Sequence, residues 1–403
     1  MKGAIRSMLV LLAVFALVAA ACGDDDDGGE TGTTGGTTGT ANGGGPIWVL
    51  LPDTASSDRW EGDDLPLFTE AFEAEGLVNG EDFNVVNAEG DTATQQAQAE
   101  QAIADGASVI VLTSLDTGSG ATIIDQAKEA GVQVIEYDRF NTGGSGGAAY
   151  VSFDNVAVGA AMATAMEPAI DALELDQPQV VMLNGGEEDN NSFLFRDGYA
   201  ETVEARVDAG DWALVDDQFV PGWDNAEAQT IMEQILVSAN NEVDAVFAAN
   251  DGLAQSTINA VEAAGFGPIP VSGQDATAEG IQNVALGNQT VSVYKPIQDE
   301  AGVTAAIALA LRNGEDYESA ATGYTSQLAS GGSTVAIIGI NAADGTPADS
   351  PTADGAVPYV ALVPIGVTID NIMDTVIADG FRTLEEICAG DVAQTDFCQE
   401  NAA

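Results

Sequence analysis

Histidine is absent from this chain of 403 residues, and basic side chains are scarce: Lys and Arg total 10 against 64 Asp and Glu, a formal net charge of −54. Without histidine the chain lacks the commonest metal ligand and proton-transfer group, so we expect no metal site and no His-based catalysis. So few cations cannot neutralise nucleic-acid phosphates, which excludes a nucleic-acid-binding protein, and they disfavour docking on anionic lipid. Hydrophobic residues still make up 45%, which is typical of a globular protein, and the length suits two or three domains.

Cysteine is also rare, and the first of the three ends an N-terminal segment of distinct composition. Residues 1–21 combine two basic residues with a short apolar run, and small residues precede Cys22. This pattern predicts an export signal, because the run is too short to span a bilayer. Its ending resembles a bacterial lipobox, which predicts a lipid on Cys22; a plain signal peptide with an incidental cysteine is the alternative. We therefore expect an exported protein, anchored by lipid in the cell envelope.

Both ends of the chain carry further marks of export. Residues 22–45 are rich in Gly, Thr and Asp and predict a flexible linker. Its run of four consecutive acids lacks the spacing of a calcium loop and is interpreted as solvated charge. Because exported compartments are oxidising, Cys388 and Cys398 are expected to close a small disulfide loop in a C-terminal tail, residues 388–403.

The body, from Pro46 onward, alternates short apolar runs with segments of helical period. Ile47–Leu51 and Ser108–Thr113 are runs of this kind, and the alternation restarts after Asn155. Strands separated by helices of about 10–15 residues predict a doubly wound parallel sheet, and the restart predicts a second α/β lobe built in the same way. No glycine-rich dinucleotide or phosphate-binding signature follows the first strands, so we expect no nucleotide cofactor. A two-lobed α/β body would bind its ligand in the cleft at the carboxyl ends of the strands.

Four of the scarce cations, Arg59, Arg139, Arg196 and Lys295, follow predicted strands, where acids and amides also gather. The acids and amides are Asp138, Asp189, Asn190, Asn191, Asn250, Asp251, Gln274 and Asp275. Ordinary surface ion pairing is the alternative interpretation for each cation. Fixed donors beside fixed acceptors suit the hydroxyl groups of a neutral sugar. Trp60 and Trp223, in loops at the same end, could stack on a sugar ring, although core packing is the alternative.

Nine segments, in chain order, carry a family resemblance: SSDRW, EYDR, YVSFDN, DNNSFLFRDG, GWDNAEA, AANDG, SGQDA, TVSVYKPI and DNIMDTVIADGF. They resemble the pentose and hexose solute-binding proteins of bacterial ABC transporters, the type I periplasmic binding proteins, over roughly residues 46–325 and 360–382. YDR, DNN with LFR, SGQD and VYKP are typical of the xylose-binding members. The resemblance implies a hinged protein without enzymatic activity or cofactor. It would close on one monosaccharide, D-xylose first, and deliver it to a membrane permease; we expect a monomer.

The resemblance also implies the ligand set and the division of the chain. The ligand-binding residues would be Arg59, Trp60, Arg139, Asp189, Asn191, Trp223, Asn250, Asp275 and Lys295. The residues expected behind them are Asp138, Arg196, Asp251 and Gln274. Lobe one would comprise 46–153 and 295–314, and lobe two 154–294 and 316–387. The three crossings of the hinge would lie near 151–155, 292–295 and 313–317. Residues 328–358 are interpreted as an insertion.

Two other functions remain open at this point. The same fold could bind glucose, arabinose or galactose as a transport or chemosensory receptor. A remote alternative is a secreted glycoside hydrolase that uses Asp189 and Asp275 as its carboxyl pair. Neighbouring cations and amides would keep both carboxyls ionised, which disfavours that alternative because one of the two must donate a proton.

Overall fold

The computed structural model describes residues 44–57 and 59–401. The predicted signal sequence, the lipidation site Cys22 and nearly all of the linker lie outside the described residues. These described residues form one compact unit. Across the described ranges, no helix has the length and apolar character needed to span a membrane, and no cluster of three or more Asp, Glu or Cys residues could hold a metal ion.

The first lobe is built on an eight-stranded sheet. Its first five strands in the chain are all parallel and are β1 (Ile47–Leu51), β2 (Phe83–Asn87), β3 (Val109–Leu112), β4 (Gln133–Tyr137) and β5 (Ala149–Phe153). The helices between them are α1 (Leu65–Ala74), α2 (Thr92–Ala104) and α3 (Thr117–Glu129). β1, β3 and β5 are buried along their whole length, because helices cover both faces of a parallel sheet.

The second lobe has two three-stranded sheets, in the orders β7-β6-β8 and β14-β10-β9, which are joined by a bridge between Val246 and Val271. The strands are β6 (Gln179–Asn184), β7 (Ala213–Phe219), β8 (Ala245–Ala248), β9 (Ser272–Gln274), β10 (Val291–Tyr294) and β14 (Ile365–Val367). The helices are α4 (Asn155–Asp171), α5 (Asn190–Ala209), α6 (Asn225–Ser238), α7 (Asp251–Ala263) and α8 (Ala278–Leu286). The predicted class, two α/β lobes with parallel-rich sheets, is confirmed.

Residues 317–362 belong with the first lobe, which corrects their expected place in lobe two. Following α9 (Ile297–Arg312), they form α10 (Tyr317–Gly323), β11 (Val335–Asn341), β12 (Pro347–Ala348) and β13 (Ala356–Leu362). β13 pairs in parallel with β5, and β11 pairs with β13, so this segment extends the first sheet, whose strand order is β12-β11-β13-β5-β4-β3-β1-β2. The physical reason is that β5 would otherwise present an unpaired edge, which β13 satisfies with backbone hydrogen bonds.

Within the described residues the chain passes between the two lobes three times, but the third passage is not where it was expected. The first two follow β5 and β10, where α4 and α9 begin in the opposite lobe. The segment 313–317 stays in the first lobe, since α10 packs on α9 and β11. The third passage instead lies between β13 and β14, at residues 363–364.

The C-terminal segment closes the core of the second lobe. It contains α11 (Leu384–Ile387) and α12 (Asp396–Asn401), and a disulfide joins Cys388 to Cys398. Ile387 and Cys398 are buried in the same apolar cluster as Ile281. The tail is therefore packed onto the lobe rather than extended from it.

Candidate functional site

A small cavity lies between the two lobes, at the carboxyl ends of the parallel strands. Its lining contains all nine residues of the expected ligand set. The five further residues that line it are Ser56, Ser57, Asp138, Phe195 and Gln274. The space that these side chains leave free is small, so the cavity suits a compact ligand.

Arg59 is buried at the wall of the cavity and is held by three carboxylates. Its Nε and Nη2 donate to Asp64 at 2.9 and 2.8 Å, Nη2 also to Glu300 at 2.9 Å, and Nη1 to Asp138 at 2.7 Å. Burial would lower the pKa of Arg59, but the three carboxylates raise it well above its usual value. A guanidinium has five N–H groups. These bonds use four of them, which leaves one on Nη1 for a ligand.

The Trp60 indole lies against two guanidinium groups. The Cζ atoms of Arg59 and Arg139 lie 4.3 and 5.4 Å from the ring centroid. The indole Nε1 donates to Ser56 Oγ at 3.1 Å. Because the ring is tied by hydrogen bonding and by cation–π contact, it forms a fixed aromatic wall.

Asp138 of the first lobe forms an ion pair with Lys295, which lies in the crossing between β10 and α9. Lys295 Nζ lies 3.1 Å from Asp138 Oδ2, the oxygen that also accepts from Arg59. Burial would raise the pKa of Asp138, but the charges of Lys295, Arg59 and Arg139 lower it to about 2. Burial likewise works against the charged form of Lys295, yet Asp138 and Asp275 raise its pKa. Both groups are therefore charged at neutral pH.

Arg139 and Asp189 face each other across the cavity from opposite lobes. Arg139 Nε lies 3.3 Å from Asp189 Oδ2, and its two Nη atoms donate to Ser114 O and Ser56 Oγ at 3.1 Å each. Asp189 caps the N-terminus of α5, where its Oδ1 accepts the backbone N–H of Asn191 at 2.9 Å. Burial raises the pKa of Asp189, while Arg139 opposes the shift.

The two amides of the expected set mainly hold the lobes together. Asn191 Nδ2 donates to the backbone oxygen of Asp138 at 2.8 Å, and its Oδ1 accepts from Asn155 at 2.9 Å. Asn250 caps the N-terminus of α7, and its Nδ2 donates to the backbone oxygen of Ser56 at 3.2 Å. Each amide thus carries a bond across the cleft.

Asp275 projects from the loop after β9 in a left-handed backbone conformation, with φ of 95°. Its Oδ1 accepts from Gln274 Nε2 at 2.8 Å and lies 3.7 Å from Lys295 Nζ. Its Oδ2 accepts from Ser57 Oγ, in the first lobe, at 3.1 Å. The carboxylate is therefore an acceptor site at which both lobes meet.

The second lobe contributes two aromatic side chains to the cavity. Trp223 and Phe195 pack edge to face, with their centroids 6.4 Å apart. The Trp223 ring lies so close to Gly185 that a Cβ at that position would overlap it, so glycine is required there. Aromatic surfaces thus face the cavity from both lobes, since Trp60 belongs to the first.

Two polar atoms of the lining have neither a hydrogen-bond nor an ion-pair partner within the part of the chain that the structure describes. They are Trp223 Nε1 and Gln274 Oε1. Buried polar atoms are normally paired, so such atoms at a cavity indicate a ligand that completes them. One is a donor and the other is an acceptor, which matches a hydroxyl-bearing ligand because a hydroxyl both donates and accepts.

Of the four residues expected behind the ligand set, two line the cavity, one lies behind it and one, Arg196, points away from it. Asp138 and Gln274 line the cavity itself. Asp251 lies behind it and accepts from Ser292 Oγ at 2.7 Å and from Thr277 N at 2.9 Å, which anchors the loop that carries Asp275. Burial raises the pKa of Asp251 to about 7.

Arg196 points away from the cavity, which corrects its expected role. It pairs with Asp217 on β7, with Nε 3.0 Å from Oδ2. The reason is helical geometry: Asn191 and Phe195 are four residues apart and share one face of α5, whereas Arg196 is turned about 100° further. That i, i+4 relationship could have identified Phe195 from the sequence.

Other residues of the site carry no such local signal. Ser56 and Ser57 lie in a loop. Asp64 reaches Arg59 from the helical turn before α1, and Glu300 reaches it from α9. Glu300 is 241 positions from Arg59 in the chain, so only the fold brings the two together.

The chain is similar in sequence to known periplasmic binding proteins. Residues 48–316 match the family model of the periplasmic binding protein domain. The D-xylose-binding periplasmic protein of Escherichia coli is 34% identical over 338 residues, 83% of this chain and 90% of its own. The protein of the same name from Haemophilus influenzae is 32% identical over 342 residues, 84% of this chain and 91% of its own.

A solved structure shares the fold. It is an ABC transporter solute-binding protein from Clostridium phytofermentans with bound β-D-glucose, 22% identical in sequence. It aligns over 85% of this chain and 99% of its own with a TM-score of 0.69. At that identity the likeness concerns the fold alone, and it agrees with the two-lobed architecture described above.

Proposed function

This chain belongs to the periplasmic binding protein family, and on that premise we propose that it binds a monosaccharide, D-xylose first, between its lobes. The bound sugar would be delivered to the permease of an ABC importer. The relatives are periplasmic sugar-binding proteins of such transporters, and the two at 34% and 32% identity are D-xylose-binding proteins. The xylose assignment for this chain rests on that similarity together with the composition of the cavity.

The observation that carries the proposal is the mixed lining of the interlobe cavity. Aromatic faces of Trp60 and Trp223 suit the apolar faces of a pyranose ring. Charged donors and acceptors around them suit its rim of hydroxyl groups, and hydrogen bonds to charged groups are the stronger ones. A nucleotide or phosphate ester would meet the carboxylates of Asp189 and Asp275 and be repelled. The lining therefore favours a neutral polyol.

Similarity to known proteins supports binding without turnover. Each carboxylate of the lining stands beside a cation, Asp138 and Asp275 beside Lys295 and Asp189 beside Arg139, although burial raises the pKa of Asp189. The relatives carry sugar and are not enzymes. A sugar that bonds to both lobes would stabilise the closed arrangement by as much as its extra affinity for that arrangement.

Isothermal titration of the body from Asn42 onward tests the proposal. D-xylose, D-glucose, L-arabinose and D-ribose would be titrated at low and high salt, with incubation of aryl xylosides as a check for turnover. We expect the tightest binding for D-xylose, loss of binding in Asp275→Ala, and no change in Asp208→Ala, an exposed acid of the same lobe.

The outcomes of the titration separate the alternatives. Tightest binding of D-glucose or L-arabinose would keep the sugar-binding function and overturn the xylose assignment. Binding of none of the four sugars at either salt would overturn the proposed site. Hydrolysis of a xyloside would support the glycoside hydrolase alternative and overturn binding without turnover.

We propose further that the protein is exported and anchored by lipid on Cys22. Small residues before this cysteine and the flexible linker after it support the proposal. Labelling of the full chain with radioactive palmitate in a bacterial host tests it. We expect label and membrane association in the wild type and neither in Cys22→Ala, whereas an unlabelled wild type would indicate a plain signal peptide.

A further inference from the structure

An ion pair outside the sugar cavity also joins the two lobes. Arg382 precedes α11 in the second lobe, and Asp63 lies in the helical turn before α1 in the first. The guanidinium meets the carboxylate with two nitrogens, Nη1 to Oδ1 at 3.3 Å and Nη2 to Oδ2 at 3.2 Å. The two side chains line the polar groove at the mouth of the cleft but not the sugar cavity itself.

The surroundings of Arg382 fix its side chain in place. Its Nε donates to the backbone oxygen of Ala276 at 2.9 Å, and its Cζ lies 3.9 Å from the ring centroid of Phe381. The Phe381 ring in turn packs on Tyr294, with centroids 5.0 Å apart. A guanidinium held in this way loses little further freedom when it pairs, so the pair avoids the entropic cost that weakens most surface ion pairs.

Two further observations distinguish this pair from ordinary surface charge. The side chains are only 12% and 19% exposed, so water screens them less than it screens an exposed pair. In addition, Ala276 directly follows Asp275, the acceptor at which both lobes meet. Arg382 therefore contacts the first lobe through Asp63 and the sugar-binding loop through Ala276.

We propose that the Asp63–Arg382 pair is a latch that stabilises the closed lobes and so sets how tightly and how long the protein holds its sugar. The inference rests on the proposed function. A latch of this kind changes the population of the closed state without adding a contact to the ligand. Its loss raises the apparent Kd in proportion to the fall in that population.

Titration and stopped-flow release of D-xylose from Asp63→Asn and Arg382→Gln test the latch. We expect each variant to bind about 3- to 10-fold more weakly, mainly through faster release, and the double variant to be no weaker than either. The two substitutions change the net charge in opposite directions, so an equal loss excludes a general effect of charge. Rising NaCl should weaken the wild type and leave the variants nearly unchanged.

The matched control is the Arg312–Asp82 pair, which lies within the first lobe with Nη2 2.8 Å from Oδ1. We expect Arg312→Gln and Asp82→Asn to leave sugar affinity unchanged. Unchanged affinity and release in Asp63→Asn would overturn the latch. So would a loss confined to Arg382→Gln, because Arg382 would then act only through its own lobe.

Small-angle X-ray scattering of the sugar-free proteins separates a failure of the latch from a failure of the proposed function. We expect a larger radius of gyration for Asp63→Asn and Arg382→Gln than for wild type and the controls. If no sugar binds, the proposed function fails while the scattering still decides the latch. Identical scattering from variants and wild type would overturn the latch whatever the ligand.

Discussion

Lys295 and Asp138 meet between the lobes, with the ammonium nitrogen 3.1 Å from a carboxylate oxygen that also accepts from Arg59. Lys295 follows β10 of the second lobe, and Asp138 follows β4 of the first. The three charges are fixed by one another without a ligand. A sugar entering the cavity therefore meets donors and acceptors that are already in position, which lowers the cost of binding.

The unpartnered indole nitrogen of Trp223 is expected to donate to the sugar. Trp223→Phe keeps an aromatic face but removes this donor, so D-xylose should bind about 3- to 10-fold more weakly by titration. Trp212→Phe is the control, because Trp212 Nε1 also lacks a partner among the described residues but lies away from the cavity. Equal affinities of Trp223→Phe and wild type would show that the donor is not used.

Gly185 is expected to set the position of the Trp223 ring. A methyl group at Gly185 would overlap the indole, so Gly185→Ala should displace the ring and weaken sugar binding about tenfold or more. Gly267→Ala is the matched control in the same lobe, because a Cβ there meets no atom within 4 Å. Wild-type affinity in Gly185→Ala, measured by the same titration, would contradict the packing argument.

Phe195 and Arg196 are adjacent in sequence and should behave differently. Phe195→Ala removes an aromatic wall of the cavity, so we expect about tenfold weaker sugar binding. Arg196→Gln loses only the contact with Asp217, so affinity should stay unchanged while the melting temperature falls slightly. Titration and thermal unfolding of both variants give the measurement, and the reverse pattern would restore Arg196 as part of the site.

Glu136 is expected to make stability depend on pH. Burial raises the pKa of this carboxyl from 4.5 to about 7, although the N–H groups of Gly147 and Asn141 oppose the shift. Between those two values the folded state binds more protons than the unfolded state, so stability falls as pH rises from about 4.5 to 7.

Urea unfolding of Glu136→Gln at several pH values gives the measurement. The variant should lose a slope of up to about 1.4 kcal/mol per pH unit from the wild-type profile. Glu129→Gln, at an exposed position on α3, should keep the full slope. Because glutamine also loses an acceptor, the slope and not the absolute stability is the readout, and an unchanged slope would contradict the assignment.

The disulfide is expected to stabilise the C-terminal tail locally. Cys388 and Cys398 are separated by 10 positions, for which loop-closure entropy gives about 2–3 kcal/mol. The variant with both cysteines replaced by alanine should show faster hydrogen exchange in α11 and α12, measured by mass spectrometry, with unchanged sugar affinity. Loss of sugar binding in this variant would show that the tail supports the cleft.

The types of residue in the site could be predicted from the chain, but their detailed roles could not. Lys295 and Asp275 follow strands, and the ends of parallel strands meet at one edge of a sheet, so their convergence was predictable. The sequence pattern did not separate residues that still offer free groups from those whose groups are used by the protein. Asn191 was expected to bind the ligand, but its side-chain amide forms hydrogen bonds with Asp138 and Asn155.

The sequence by itself determined the alternation of strands and helices, the two lobes and the polar character of the cleft, because these follow from local periodicity and composition. The tertiary structure alone decided which sheet edge receives β13, where the third crossing lies, and that Arg196 faces Asp217. It also joined Arg59 to Glu300 and Asp63 to Arg382, over 241 and 319 positions. Which strand pairs with a sheet edge, and which distant charges meet, depends on the backbone edges and charged groups that remain without partners once each lobe has packed. No local pattern in the chain determines this.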